Sequence, residues 1–199
     1  MEQEIKNIVF DVGNVLIDFC WEKTCRMLGF SQKIIDAFGK NMILTDMWDR
    51  LDEGTISQED AVDNFVASMP RYEKEIRLFW DNAITFVEEY DYAYGMIMVL
   101  KEKGYKVYLL SNYPLEMYKL HWPTFRFFKE VDGFVVSAVE QIRKPDVRIY
   151  ECLCQRYGLI PEQCLFFDDR QDNVDAAKVA GMQACLFEGY HTAKEYFDL

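Results

Sequence analysis

Four short stretches of this 199-residue chain carry groups that could do chemistry together. Asp11 ends an apolar run over residues 5–10 and is followed by Val12-Gly13-Asn14-Val15. Ser111 and Asn112 end a second run, over 105–110. Lys144 stands before Pro145, after a third run over 134–136. Asp168 and Asp169 close a fourth, over 163–167. A carboxylate nucleophile, a hydroxyl with amide donors, an ammonium and a carboxylate pair suit phosphoryl transfer. Two carboxylates can hold Mg²⁺, a hard cation that prefers oxygen ligands. The cation and Lys144 would neutralise a phosphate, and the hydroxyl and N–H donors would hold its equatorial oxygens. Asp11 could then attack phosphorus to form an aspartyl-phosphate, which water hydrolyses.

The elements that must position these groups follow from the same runs. Short apolar stretches without alternation suit strands buried on both faces of a parallel sheet. The carboxyl ends of such strands are where open α/β sheets bind ligands. From residue 87 the chain alternates. A helix runs to about residue 103 and stops at Gly104, and Pro114 opens the next. Helices follow over 146–157, stopped by Gly158, and over 173–180, stopped by Gly181. A last strand spans 183–187, and residues 190–199 form a short helix or coil. This order predicts a Rossmann-like, doubly wound α/β fold with right-handed crossovers. Residues 19–86 break the pattern. They read as helices over 21–28, 31–38, 45–51, 57–69 and 72–83, with Ser57 and Asp60 as a capping box. The predicted organisation is a core of residues 1–18 and 87–199 with a helical insertion, 19–86.

Composition narrows the classes. Half of the residues are hydrophobic, and the formal net charge is −12. That balance argues against a nucleic-acid surface, which would need clustered Lys and Arg, and against anionic membranes. An anionic ligand would need a local cation to override the overall field. No apolar run approaches the ~18 residues of a membrane span. Met1-Glu2-Gln3-Glu4 lacks the basic start of a signal peptide, so the expected location is cytoplasmic. The six cysteines sit in apolar segments and are expected as free thiols. Asp172 is expected to cap a helix, and Asp18 to be solvated or to sit at a hinge. His121 reads as a packed or solvated histidine rather than a catalytic one.

Taken together, Asp11-Val12-Gly13-Asn14-Val15, Ser111-Asn112, Lys144-Pro145 and Asp168-Asp169 with Asn173 resemble the four motifs of the haloacid dehalogenase superfamily. The resemblance covers nearly the whole chain and is to its helical-cap phosphatases, including sugar-1-phosphate phosphatases. It implies Asp11 as nucleophile and metal ligand, the Gly13 carbonyl and Asp169 as further Mg²⁺ ligands, and Asp168 as an outer or alternate ligand. It implies Ser111, the Asn112 backbone and Lys144 as the grip on phosphate, Asn173 as an outer partner, and residues 19–86 as a lid. The expected substrate is a small phosphorylated metabolite, with sugar phosphates among the candidates. The chain departs from the pattern at Gly13, where relatives usually carry an Asp that serves as general acid and base. Without that group, rates should depend steeply on leaving-group basicity. Two other readings remain at this stage. One is carbon–halogen hydrolysis, which needs no metal. The other is a phosphometabolite-binding protein without catalysis. Neither the substrate nor the oligomeric state follows from the sequence.

Overall fold

The structure is a computed structural model that describes residues 4–43 and 45–197. Met1 to Gln3, in the acidic N-terminal tetrapeptide, and the last two residues of the expected C-terminal element lie outside it.

Five strands form one parallel sheet: β1 (Asn7–Phe10), β4 (Lys106–Ser111), β5 (Gly133–Val136), β6 (Cys164–Asp168) and β7 (Gln183–Leu186). Their order is β5-β4-β1-β6-β7. Asn7 pairs with Lys106 on one side and with Cys164 on the other, which centres β1. The chain runs outward through β4 and β5, then returns to lay β6 and β7 on the opposite side of β1. Ligands bind at such a reversal, outside the carboxyl ends of the strands.

Period-two alternation divides each strand between two apolar layers. Ile8 and Phe10, with Leu109 and Phe167, face one cluster, whereas Val9, Leu110 and Phe166 face the other. Helices α6 (Asp91–Glu102), α7 (Leu115–His121) and α11 (Tyr190–Phe197) contribute to the first layer. Helices α9 (Val147–Tyr157) and α10 (Gln171–Val179) build the second.

The helices α1 (Trp21–Met27), α2 (Gln32–Asn41), α3 (Asp46–Glu53), α4 (Gln58–Ser68) and α5 (Glu73–Asp81) form the insertion. Phe38, Phe65, Phe79, Trp80 and Phe86 pack on one another within it and belong to the same apolar cluster as Ile8 and Phe10. The Ser57 hydroxyl accepts the Asp60 N–H, as a capping box requires.

Two expectations are corrected. Residues 87–89 are not the start of a helix. Val87–Glu89 is a strand, β3, antiparallel to β2 (Ile17–Phe19), and the helix begins at Asp91. Runs of three residues are too short to show a period, so this ribbon at the foot of the insertion left no sequence signal. Asp172 does not cap α10. Arg170 holds that position, and Asp172 lies in the first turn, ion-paired to Arg170 at 2.9 Å. That turn favours a carboxylate through the helix dipole, which mimics the composition of a cap. After β5 the structure adds a one-turn helix, α8 (Ser137–Glu140). All six cysteines are free thiols, with Cys152 and Cys185 half-buried and the rest buried. No helix among the described residues is long and apolar enough to cross a membrane.

Candidate active site

At the carboxyl ends of β1, β4 and β6 the sheet meets a cavity of about 280 Å³, roofed by α3 of the insertion. Asp11 leaves β1 onto its floor. The Asp11 N–H donates to the Phe167 carbonyl at 2.9 Å, so the β1–β6 ladder continues one residue beyond the strand and fixes the carboxylate's origin. Asn14 follows in the left-handed region, φ 55°, and its amide donates to Asp169 Oδ2 at 3.1 Å. The first turn is thereby tied to the end of β6.

Lys144 is the hub. Its Nζ lies 2.8 Å from Asp11 Oδ1 and 2.6 Å from Asp168 Oδ2, with all three residues buried. Asn112 holds the lysine's backbone in place: its Oδ1 accepts the Lys144 N–H at 2.8 Å, and its Nδ2 donates to the Lys144 carbonyl at 2.9 Å. Asp168 Oδ1 accepts the Arg170 N–H and the Asn173 amide, each at 2.9 Å. Both Asp168 oxygens are thus engaged within the protein.

Burial pushes the Asp11 carboxyl up to about 7; Lys144 opposes this, and the charges of Asp168 and Asp169 add to it. Burial works against the Lys144 ammonium too, yet Asp11 and Asp168 together outweigh it and hold the lysine above its ordinary value. Burial likewise raises Asp169, against its hydrogen bond from Asn14. Asp11, Asp168 and Asp169 can each present a carboxylate oxygen to one point, these atoms lying within 4.8 Å of one another. An all-oxygen set of this density fits a hard divalent cation, and the upward shifts of Asp11 and Asp169 are what crowded, desolvated carboxylates show without one.

Of the residues singled out from the sequence, Asp11, Gly13, Asn112, Lys144, Asp169 and Asn173 line the cavity. Ser111 does not line it. Its hydroxyl is buried at the end of β4, making a long 3.5 Å contact to the Asn112 carbonyl. The Asn112 side chain is spent on Lys144, which leaves its backbone for a ligand. His121 lines the cavity but is locked, Nδ1 to the Tyr113 hydroxyl and Nε2 to the Ala83 carbonyl, each at 2.8 Å. Burial lowers its pKa, so the ring is neutral.

Sequence reasoning missed the roof. Trp48, Asp49 and Asp52 of α3 reach the cavity, as does Arg143, whose guanidinium lies 3.0 Å from Asp49. The available signal was spacing, since Asp49 and Asp52 are three apart and share one helix face. The glycine at position 13 has open space: a Cβ there would meet nothing within 4 Å.

A family model described as haloacid dehalogenase-like hydrolase matches residues 5–181. A sesquiterpene phosphatase of Aspergillus oryzae is 25% identical over 89% of this chain and 87% of its own length. A D-ribitol-5-phosphate phosphatase of Bacteroides thetaiotaomicron is 24% identical, covering 90% of each chain. Among solved structures, a HAD-family enzyme of the latter organism, in complex with magnesium and inorganic phosphate, superposes with a TM-score of 0.72 at 24% identity. That match covers 94% of this chain and 98% of the other and speaks for the fold.

Proposed function

This chain belongs to the haloacid dehalogenase-like hydrolases, and on that premise we propose that it is a Mg²⁺-dependent phosphatase for a small cytoplasmic phosphomonoester. The observation that carries the reading is the buried Lys144 ammonium, 2.8 Å from Asp11 on the floor of the cavity. It supplies the local positive charge that a chain of net charge −12 needs before it can admit a phosphate.

Asp11, Asp169 and the Gly13 carbonyl would hold Mg²⁺. Asp168, whose two oxygens already serve Lys144, Arg170 and Asn173, orients the lysine instead. When bound, the ion neutralises charge on the phosphoryl oxygens and draws the Asp11 pKa back down. Lys144, the Asn112 backbone and the Ser111 end of β4 grip the phosphate. The Asp11 carboxylate attacks phosphorus, the ester P–O bond breaks, and water then hydrolyses the aspartyl-phosphate. Residues 19–86 act as the cap over the core of 1–18 and 87–199, and α3 faces the leaving group. The relatives named above are a sesquiterpene phosphatase and a D-ribitol-5-phosphate phosphatase. Family membership therefore leaves the leaving group open, with sugar phosphates among the candidates.

The test is a phenyl phosphate and a 2-haloacid, each offered with Mg²⁺ and after chelation. Hydrolysis of the phosphate alone, abolished by chelator and restored by Mg²⁺, is expected. Asp11→Asn keeps the shape and removes the attacking anion, so the rate should fall by several orders of magnitude. Halide release, or phosphatase activity that survives chelation, would overturn the proposal.

A further inference from the structure

Gly13 leaves the reaction without the side chain that would protonate the departing oxygen. An alkoxide that must leave without a proton forfeits a factor of about 10²–10⁴. The cavity's other proton-bearing groups are committed elsewhere. His121 is neutral, with both ring nitrogens engaged. Lys144 is held in two ion pairs, Asp49 is paired to Arg143, and Asp169 is bonded to Asn14. Asp52 differs from all of them. Its carboxyl lines the cavity and has no hydrogen-bond partner among the described residues.

Its backbone, by contrast, is fixed. The Ser137 hydroxyl donates a close hydrogen bond to the Asp52 carbonyl and accepts the Tyr113 N–H at 2.9 Å. Ser137 thus joins the end of α3 to the loop after β4. Gly54 caps α3 so tightly against α8 that a Cβ there would stand 2.4 Å from the Ala138 carbonyl oxygen. A side chain left free on a backbone this well anchored is placed for something that enters the cavity.

Resting on the phosphatase reading above, we propose that Asp52, reaching down from the cap, is the general acid and base that the chain lacks at position 13. In the first step an Asp11 oxygen bonds to phosphorus, the ester P–O bond breaks, and the Asp52 carboxyl gives its proton to the leaving oxygen. The alcohol departs, and Asp52 is left as a carboxylate. In the second step that carboxylate takes a proton from water as the water oxygen bonds to phosphorus and the acyl-phosphate P–O bond breaks. Inorganic phosphate leaves, with Asp11 ionised and Asp52 protonated as at the start. The environment supplies the proton at neutral pH. Desolvation raises the Asp52 carboxyl to about 8; Arg143 and Lys144 oppose this, and Asp49 and Asp11 reinforce it. A carboxyl so tuned matches the pH at which a general acid works best.

The experiment uses the full-length chain with Mg²⁺ and a series of phosphomonoesters from phenyl to primary alkyl phosphates, reading alcohol release in a single turnover. Asp52→Asn should slow the alkyl ester about 10²-fold or more, and the phenyl ester by less than tenfold, because a phenolate needs little protonation. Adding Gly13→Asp to that variant, where there is room for the side chain, should restore much of the alkyl rate. On the wild type alone, the alkyl rate should decline as pH rises through the titration of Asp52, with no matching decline for the phenyl ester. Equal losses on all esters, an unchanged slope, or pH profiles that coincide would overturn the assignment and point to an ordered water. These outcomes are distinct from failure of the phosphatase reading, in which the wild type turns over no ester, and which would take this proposal down with it.

Discussion

Lys144 shows how a charged group can be fully buried. An isolated ammonium would lose its proton in such a place, but two carboxylates within hydrogen-bond distance hold it. Their attraction offsets a desolvation cost that all three groups share, so the triad adds little net stability while it is complete. Removing one member is another matter. Lys144→Met leaves Asp11 and Asp168 facing each other without a cation and should cost about 3–5 kcal/mol in unfolding free energy, beyond the loss of activity. Chemical denaturation in chelator measures this. A loss within the ±0.5 kcal/mol of an ordinary surface change would mean that the carboxylates are not interacting as described.

At the scale of the element, α3 joins the insertion to the cavity. Thr45 caps its start, accepting the Trp48 N–H, and Gly54 ends it at φ 72°. Trp48, Asp49 and Asp52 then face the cavity, and the α3 terminus rests on α8. Gly54→Ala has two effects. It places a Cβ in the left-handed region, on the order of 1–3 kcal/mol, and it drives that Cβ into the Ala138 backbone. Stability should fall by at least that amount. Because α3 must lift to relieve the contact, turnover of primary alkyl phosphates should fall more than that of phenyl phosphate. A variant that is destabilised but loses both activities in equal measure would show that the seating of α3 does not matter to leaving-group departure.

At the scale of the molecule, the insertion and the sheet share one apolar cluster, from Ile8 and Phe10 through Phe86 to Phe79 and Trp80. A shared core predicts joint unfolding. Phe79 is fully buried against Phe38, Trp80 and Phe86. Phe79→Ala should therefore lower a single transition by about 3–5 kcal/mol, although Phe79 lies in the insertion. Two separated transitions, with only one responding, would show that the insertion folds on its own.

The strands and most of the helices were legible in the sequence because each has a local cause. Apolar runs of three to six residues bury on both faces, Gly104, Gly158 and Gly181 stop helices, and charged groups at strand ends suit a ligand site. The groups that converge on the cavity could thus be named from Asp11, Asn112, Lys144 and Asp169 as letters. What stayed hidden depends on partners distant in sequence. The β2–β3 ribbon is three residues per strand and exists only by pairing across the whole insertion. Ser111 ends its strand as expected, yet its side chain is buried there and does not line the cavity. The role of the Asn112 side chain became visible only with the Lys144 backbone beside it. Asp52 reads in the sequence as one more acid on an exposed helix of an acidic chain. Only the docking of α3 on Ser137 and Ala138 partly buries it and brings it to the cavity that Asp11 also lines, because desolvation and proximity are properties of the assembled surface and of no single residue.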